Sequence, residues 1–446
     1  MRLPSLPSRR PVRWLLIVAL LLLVAAAGRW GEVAWQSLYF GERGPYLQVL
    51  TPHGVTIRWQ TAGATEGPVR YGLAPEALGQ SAADGKGRAH EVVLTGLQPG
   101  TRYFYAVGDG TPRPFTTPPL PGAAEPVRLW VFGDSGEMGP RQEAMRRTAL
   151  AWMAAHPLEG RPLFDAGIAL GDNAYDHGSN PEYQAGFFAP FADLLGSYMI
   201  WPVYGNHDAR RWAYFRVFTL PTGGEAGGVA SGSENYYSVD QGPVHLVVLD
   251  SEASDRSAQG PMAEWLRRDL AANKLPWLVV AFHHPPYTRG GHDSDKRNDS
   301  SARMFEMREN ILPILEGAGV DLVLSGHSHD YERSQLMDCH YGLSATLKPE
   351  MVVERGAEGA VFHKASAVAP HEGEVLVVAG SGSRLDSGPL NHPAMAVSDK
   401  KTGSLVIDVK GLRLDARFID ADGAVRDSFT IEKGAGPGYR HPSLCR

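Results

Sequence analysis

Apolar positions along this chain follow three successive patterns. An uninterrupted apolar run extends from Trp14 to Gly28. Between residues 44 and 119 short β-branched and aromatic stretches, such as Val55-Thr56-Ile57-Arg58-Trp59 and Tyr103-Phe104-Tyr105-Ala106-Val107, are separated by turns such as Leu97-Gln98-Pro99-Gly100. That pattern predicts a small all-β unit, and the Pro- and Thr-rich stretch from Thr111 to Glu125 reads as a linker after it. From residue 126 strand-like runs alternate with helical ones. Strands are expected at Arg128–Phe132, Phe164–Leu170, Met199–Tyr204, His245–Leu249, Trp277–Phe282, Val320–Leu324 and Val375–Ala379, and helices at Arg141–His156, Met262–Asn273 and Arg303–Gly317. Such alternation predicts an α/β domain whose strands are buried on both faces. Gly403 to Ile431 returns to short strands, expected as a β appendage. Gln335 to Gly373 has no clear period and is expected to be a long surface loop or insertion.

The N-terminal run changes the picture of where the chain works. Arg2, Arg9, Arg10 and Arg13 flank or precede it and Ala25-Ala26-Ala27 lie at its end, the order of a secretory signal over residues 1–29. An uncleaved anchor through residues 14–28 is the other reading, although the run is short for ~30 Å of hydrocarbon. In an exported chain the two cysteines, Cys339 and Cys445, could pair or remain free, since pairing depends on their separation in space. A formal charge of −6 argues against nucleic acid as a partner. The oligomeric state is not legible.

Polar clusters sit just past the predicted strands, where ligands bind in α/β domains. Gly133-Asp134-Ser135-Gly136 follows the first, Gly171-Asp172-Asn173-Ala174-Tyr175 the second and Gly205-Asn206-His207-Asp208 the third; later strands end in Val280-Ala281-Phe282-His283 and Gly326-His327-Ser328-His329. Each alone is an ordinary turn. Together they are hard to explain structurally, because buried polar groups cost free energy unless partnered. Two hard cations ~3.5–4 Å apart need a carboxylate that touches both and N and O donors that leave a position open for water or phosphate.

The ordered set GDSG, GDNAY, GNHD, VAFH and GHSH resembles the calcineurin-like metallophosphoesterases and, within them, the purple acid phosphatases. Gly44-Pro45-Tyr46-Leu47-Gln48 and the turn at Leu97–Tyr103 resemble that family's fibronectin type III-like domain. The resemblance implies an all-β sandwich over 44–119, a four-layer α/β/β/α catalytic domain over 126–432 and a tail over 433–446. It also implies a dinuclear centre. Asp134, Asp172, Tyr175 and His329 would hold the first ion, and Asp172, Asn206, His283 and His327 the second, with Asp172 bridging. His207 would bind the substrate phosphate beside Asn206, and His292 would protonate the leaving group. His284 reads as structural or supporting.

Position 136 is Gly where many relatives carry a histidine ligand, and Tyr175 can replace it. A phenol with a pKa of ~10 binds as phenolate near neutrality only to a strongly acidic ion, so Fe(III) is expected at the Tyr175 site and Zn, Mn or Fe(II) at the other. Asp208 stands where the family more often has Glu and is not expected to be a ligand. The implied reaction is hydrolysis of small phosphate monoesters by metal-bound hydroxide. A phosphodiesterase or nucleotide hydrolase with the same centre, and a non-catalytic binding protein on this fold, are the alternatives. No strand-to-helix Gly-x-Ser-x-Gly and no P-loop is present. Arg289 and Arg297 could contact phosphate or face solvent. His53, His90, His156, His245, His363 and His371 have no second ligand at useful spacing.

Overall fold

A computed structural model of the chain describes residues 10–36, 38–39, 41–210, 212–365, 367–434 and 445. Residues 1–9 of the expected leader and 435–444 and 446 of the expected tail lie outside them. The apolar run is part of a helix, Arg10–Gln36, that continues well past the expected leader end at residue 29. Its Val18–Gln36 segment is long and apolar enough to cross a membrane, by length and composition alone, and none of its described side chains is buried.

Five strands form the N-terminal unit: β1 (Arg43–Thr51), β2 (Gly54–Gly72), β3 (Gln80–Thr95), β4 (Arg102–Val107) and β5 (Arg113–Thr116). β2 pairs with β1 along its first half and with β4 along its second, and β3 follows it through register shifts between Gln60 and Gly67. The stretch expected as a linker holds β5, with Phe115 and Thr117 buried. Its Pro114 hid the strand from the sequence pattern. Proline is tolerated here because β5 lies at the sheet edge, where a missing N–H costs no ladder bond.

Two seven-stranded sheets form the second unit. The first contains β6 (Val127–Phe132), β7 (Ala166–Ala169) and β8 (Ile200–Pro202), paired parallel. The second contains β9 (Tyr237–Gln241), β10 (Val244–Val248), β11 (Trp277–Ala281), β12 (Leu322–Ser325), β13 (Tyr331–Ser334), β17 (Val375–Ala379) and β18 (Met395–Asp399), where β10, β11, β12 and β17 run parallel. These runs are apolar throughout because both faces are covered. Val244, Leu246, Val279, Leu322 and Val377 face the first sheet, in one core with Leu129, Val131, Leu405 and Ile407. Their neighbours Val247, Leu278, Val280, Val323 and Leu376 pack under the helices Pro261–Ala272 and Leu312–Ala318. The helix Pro140–Ala155 covers β19 (Gly403–Lys410) and β20 (Arg413–Asp420) on the far side. The order of layers is therefore helix, sheet, sheet, helix.

Two expectations are corrected. The strands after Gly403 are no appendage. β19 pairs antiparallel with β6, and β20 and β21 (Val425–Lys433) extend that sheet, so Lys433 belongs to a strand rather than to a tail. The stretch Gln335–Gly373 is not merely surface loop. It contributes β14 (Leu336–Met337), β15 (Val352–Glu354) and β16 (Ala360–Lys364), the last paired parallel with β21. These strands are too short to impose a visible two-residue period. Cys339 and Cys445 are joined as a disulfide, with Cα atoms 4.8 Å apart.

Candidate metal centre

The parallel strands of both sheets end at the same edge. β6 delivers Asp134, β7 delivers Asp172 and Tyr175, β8 delivers Asn206 and His207, β11 delivers His283, and β12 delivers His327 and His329. The turns are tight. Asp134, Asp172 and His327 have φ of 53°, 52° and 71°, left-handed values that non-glycine residues adopt at a cost and that concentrate at functional sites. A Cβ on Gly171 would lie 2.4 Å from His283 Nδ1, and a Cβ on Gly205 would lie 2.3 Å from the Asp172 nitrogen, so glycine at both positions allows the close approach.

The structure brings together all seven residues expected as ligands. Donor atoms of Asp134, Asp172 and His283, all buried, lie within 4.8 Å of one another. Tyr175 donates its hydroxyl to Asp134 Oδ1 at 3.2 Å and lies 3.2 Å from His329 Nε2. Asn206 Oδ1 is 3.0 Å from His283 Nε2, which is 3.5 Å from Asp172 Oδ1. The backbone of His327 donates to Asp134 Oδ2 at 2.8 Å.

Each imidazole is oriented by a bond on its outer nitrogen. His283 Nδ1 donates to the Leu170 carbonyl at 2.8 Å, leaving Nε2 inward. His329 Nδ1 donates to Asp386 at 3.2 Å, again leaving Nε2 inward. His327 Nε2 bonds Ser300 Oγ at 2.6 Å, leaving Nδ1. Outer bonds of this kind fix tautomer and ring angle in metal sites. The donor set therefore fits two cations: carboxylate, phenol, amide oxygen and three oriented imidazoles converging at a sheet edge.

Electrostatics agree with that fit. Burial by itself would lower the His329 and His283 pKa values. For His329, hydrogen bonds to Asp134 and Asp386 raise it to about 10, and for His283 the charges of Asp172 and Asp134 raise it. The potential that holds protons on these rings is the potential that would hold cations. The Tyr175 phenol is pushed well above its ordinary value by burial and then by Asp134 and Asp172. The Arg384 guanidinium lies over its ring at 3.8 Å, held by Glu137 and Asp176 at 2.6 and 2.7 Å.

His207 and His292 sit at the rim. His207 donates from Nδ1 to the Asp176 carbonyl at 2.7 Å, and its Nε2 is 3.8 Å from Asp172 Oδ2. His292 stacks on His327 with centroids 3.9 Å apart and bonds Asp299 at 2.8 Å through Nδ1. His284 is buried against Ser251 Oγ at 2.9 Å, with its ring 4.3 Å from His327. Arg289 is held by Asp295 and Ser344, and Arg297 lies against Phe305 near Glu309.

Sequence reasoning missed several residues. Asp208 is buried and accepts from the Asn173 and Gly205 backbones, the Asn173 side chain and the Tyr183 hydroxyl, clamping two of the loops. Its place in Gly-Asn-His-Asp was the available signal. Asp386, Ser300 and Asp299 carried none. His371, read as unaccompanied, lies among Asp338, Glu316 and the two cysteines.

Comparison with known proteins agrees with this geometry. Residues 127–331 match the calcineurin-like phosphoesterase family, and residues 44–118 match the purple acid phosphatase N-terminal domain. Purple acid phosphatase 15 of Arabidopsis thaliana is 29% identical over 320 residues, covering 60% of this chain and 56% of that protein. The acid phosphatase type 7 of Mus musculus is 28% identical over 320 residues, covering 63% and 68%. The match to the Arabidopsis protein thus spans little more than half its length. The solved purple acid phosphatase from yellow lupin (Lupinus luteus) seeds superposes with a TM-score of 0.67 at 17% identity, covering 87% of this chain and 74% of that one, a likeness of fold. With both domain matches in chain order and the strand-edge cluster inside the catalytic one, the chain is a purple acid phosphatase-like member of the calcineurin-like metallophosphoesterases.

Proposed function

We propose that the chain is an exported phosphatase that hydrolyses small phosphate monoesters at a dinuclear centre. The observation that carries this reading is the convergence of Asp134, Asp172 and His283 donor atoms within 4.8 Å at the edge where Tyr175, Asn206, His327 and His329 also end. Asp134, Tyr175 and His329 would hold Fe(III), Asn206, His283 and His327 a Zn, Mn or Fe(II) ion, and Asp172 both. Bound there, the ions would supply Lewis-acid charge to the phosphoryl oxygens and make water a nucleophile near neutral pH.

The remaining work falls to the protein. Asn206 and His207 border the open side and orient the ester, His207 through Nε2 because Nδ1 is committed to Asp176. His292, held by Asp299, presents Nε2 to the departing oxygen and gives it a proton. Export is supported by the basic start, the apolar helix and the disulfide, which persists in oxidising compartments. Whether the helix stays as a membrane anchor is decided by finding the mature N-terminus.

The test pairs elemental analysis with turnover of p-nitrophenyl phosphate and bis(p-nitrophenyl) phosphate. The expected result is one iron per chain with a visible phenolate-to-iron band that Tyr175→Phe removes, a faster rate on the monoester, and loss of iron, its partner and activity in Asp172→Asn. A faster rate on the diester would replace the monoester reading. Full activity in Asp172→Asn would overturn the centre itself.

A further inference from the structure

A second group of donor atoms lies at the opposite end of the same strands. Glu316 lies in the last turn of the helix Leu312–Ala318, Glu374 immediately precedes β17, and Asp338 and Cys339 follow β14. The metal centre lies past the other ends of β12 and β17, about 15 Å away at ~3.3 Å per strand residue. Donor atoms of Glu316, Asp338, His371 and the sulfurs of Cys339 and Cys445 all lie within 4.8 Å of one another. His371 Nδ1 is 3.0 Å from Asp338 Oδ1, and Cys445 Sγ is 3.3 Å from the same nitrogen.

Apart from His371, which pairs with Asp338, no cationic side chain among the described residues is paired with these carboxylates. Glu316, Asp338 and Glu374 are 2%, 1% and 1% exposed, which makes unpaired negative charge costly. Among the described residues no lysine or arginine lies within ion-pair distance of any of the three. The nearby Lys364 and Lys433 are both spent on Asp321, at 2.7 and 2.6 Å. Asp338 Oδ2 is buried with no hydrogen-bond partner, and the Glu374 carboxyl packs within hydrogen-bond reach of Glu316. Cys339 and His371 adopt left-handed backbone, with φ of 62° and 58°, as three residues of the metal centre do.

We infer that Glu316, Asp338 and His371 form a further divalent-cation site, with Glu374 beside it and the Cys339–Cys445 disulfide closing over it. Carboxylate oxygens with one imidazole nitrogen suit Zn2+ or Mn2+. This assignment is independent of the phosphatase reading.

The experiment uses the full chain carrying Asp172→Asn, which leaves this cluster intact. After stripping with EDTA, the protein is dialysed against Zn2+ or Mn2+ and its ion content measured, alone and with Asp338→Asn or Glu316→Gln added. The expected result is one ion per chain in Asp172→Asn and its loss in the combined variants, with a higher Tm only when the ion is bound. No ion retained by the folded Asp172→Asn chain, or the same content in folded combined variants, would overturn the site. If the combined variants do not fold, uptake by Asp172→Asn still decides, because a bound ion must then be located on His371 by its anomalous X-ray scattering, and an ion found elsewhere overturns the assignment.

Discussion

Asp208 and Asp386 do for the metal centre what its proposed ligands cannot do for themselves, which is to fix their positions. Asp208 gathers donors from both the Gly-Asp-Asn and Gly-Asn-His loops, so those loops cannot separate without leaving a buried carboxylate unpaired. Asp208→Asn would turn an acceptor into a donor facing those N–H groups. It should cost about 2–4 kcal/mol in denaturant unfolding, from lost charge-assisted bonds and stranded donors. Asp386 holds the outer nitrogen of His329. Asp386→Asn should weaken metal retention about 10- to 100-fold in chelator competition while leaving the unfolding midpoint nearly unchanged, because Asp386 is partly exposed. The two residues also mark the limit of sequence reasoning at this scale. Asp208 stood inside a motif and was passed over because it is no ligand. Asp386 meets His329 across 57 residues, and no local pattern announces such a pairing.

Strands were legible where burial on both faces made them continuous apolar runs. β6, β10, β11, β12 and β17 were expected within a residue or two of where they lie, and each polar motif was expected at its strand end. Elements stabilised by long-range pairing were not legible. β5 contains a proline, and β14 to β16 are two to five residues long, so neither period nor propensity could signal them. The helix Pro261–Ala272 shows a further device the pattern could not reveal. Its buried Asp269 bonds His245 Nε2 at 2.9 Å, while Asp240 bonds His245 Nδ1 at 2.7 Å, tying the helix to β9 and β10. Burial alone would lower the His245 pKa, but these two carboxylates raise it to about 9. The folded value lies above the unfolded ~6.5, so the stabilisation is complete below ~6.5 and is lost as pH rises through about 9. Unfolding free energy should therefore fall by up to ~3 kcal/mol across that window, and His245→Gln should flatten the fall. An unchanged pH slope in His245→Gln would refute the link.

Across the whole molecule, the N-terminal strands are built into the catalytic unit rather than strung ahead of it. Val55, Ile57 and Tyr105 share a continuous core with Phe188, Leu195 and Val217. The segment they cover, residues 180–219, follows Tyr175 and contains Asn206 and His207, so the smaller unit backs one wall of the centre. Polar contacts fix the register of that contact. Tyr46 donates to the Val217 carbonyl at 2.7 Å, Tyr105 to the Gly196 carbonyl at 2.9 Å, and Gln48 accepts from the Thr219 backbone at 2.9 Å. Arg43 is the tightest of these ties. It donates to Asn180 Oδ1 at 2.7 Å and Gln184 Oε1 at 2.8 Å, lies over the Phe188 ring at 3.9 Å, and is buried enough that desolvation lowers its pKa. Arg43→Met would keep the volume of the stem but strand two amide oxygens, one of them buried. A loss of about 2–4 kcal/mol in unfolding free energy follows from the lost charge-assisted bonds and the unmet acceptors. Because the disturbed segment leads into Asn206, an ion at the proposed Asn206, His283 and His327 site should exchange faster than one at the proposed Tyr175 site in the same variant. Measuring release of each metal separately tests the coupling. Equal release of both ions would mean that the N-terminal unit stabilises the fold without shaping the centre.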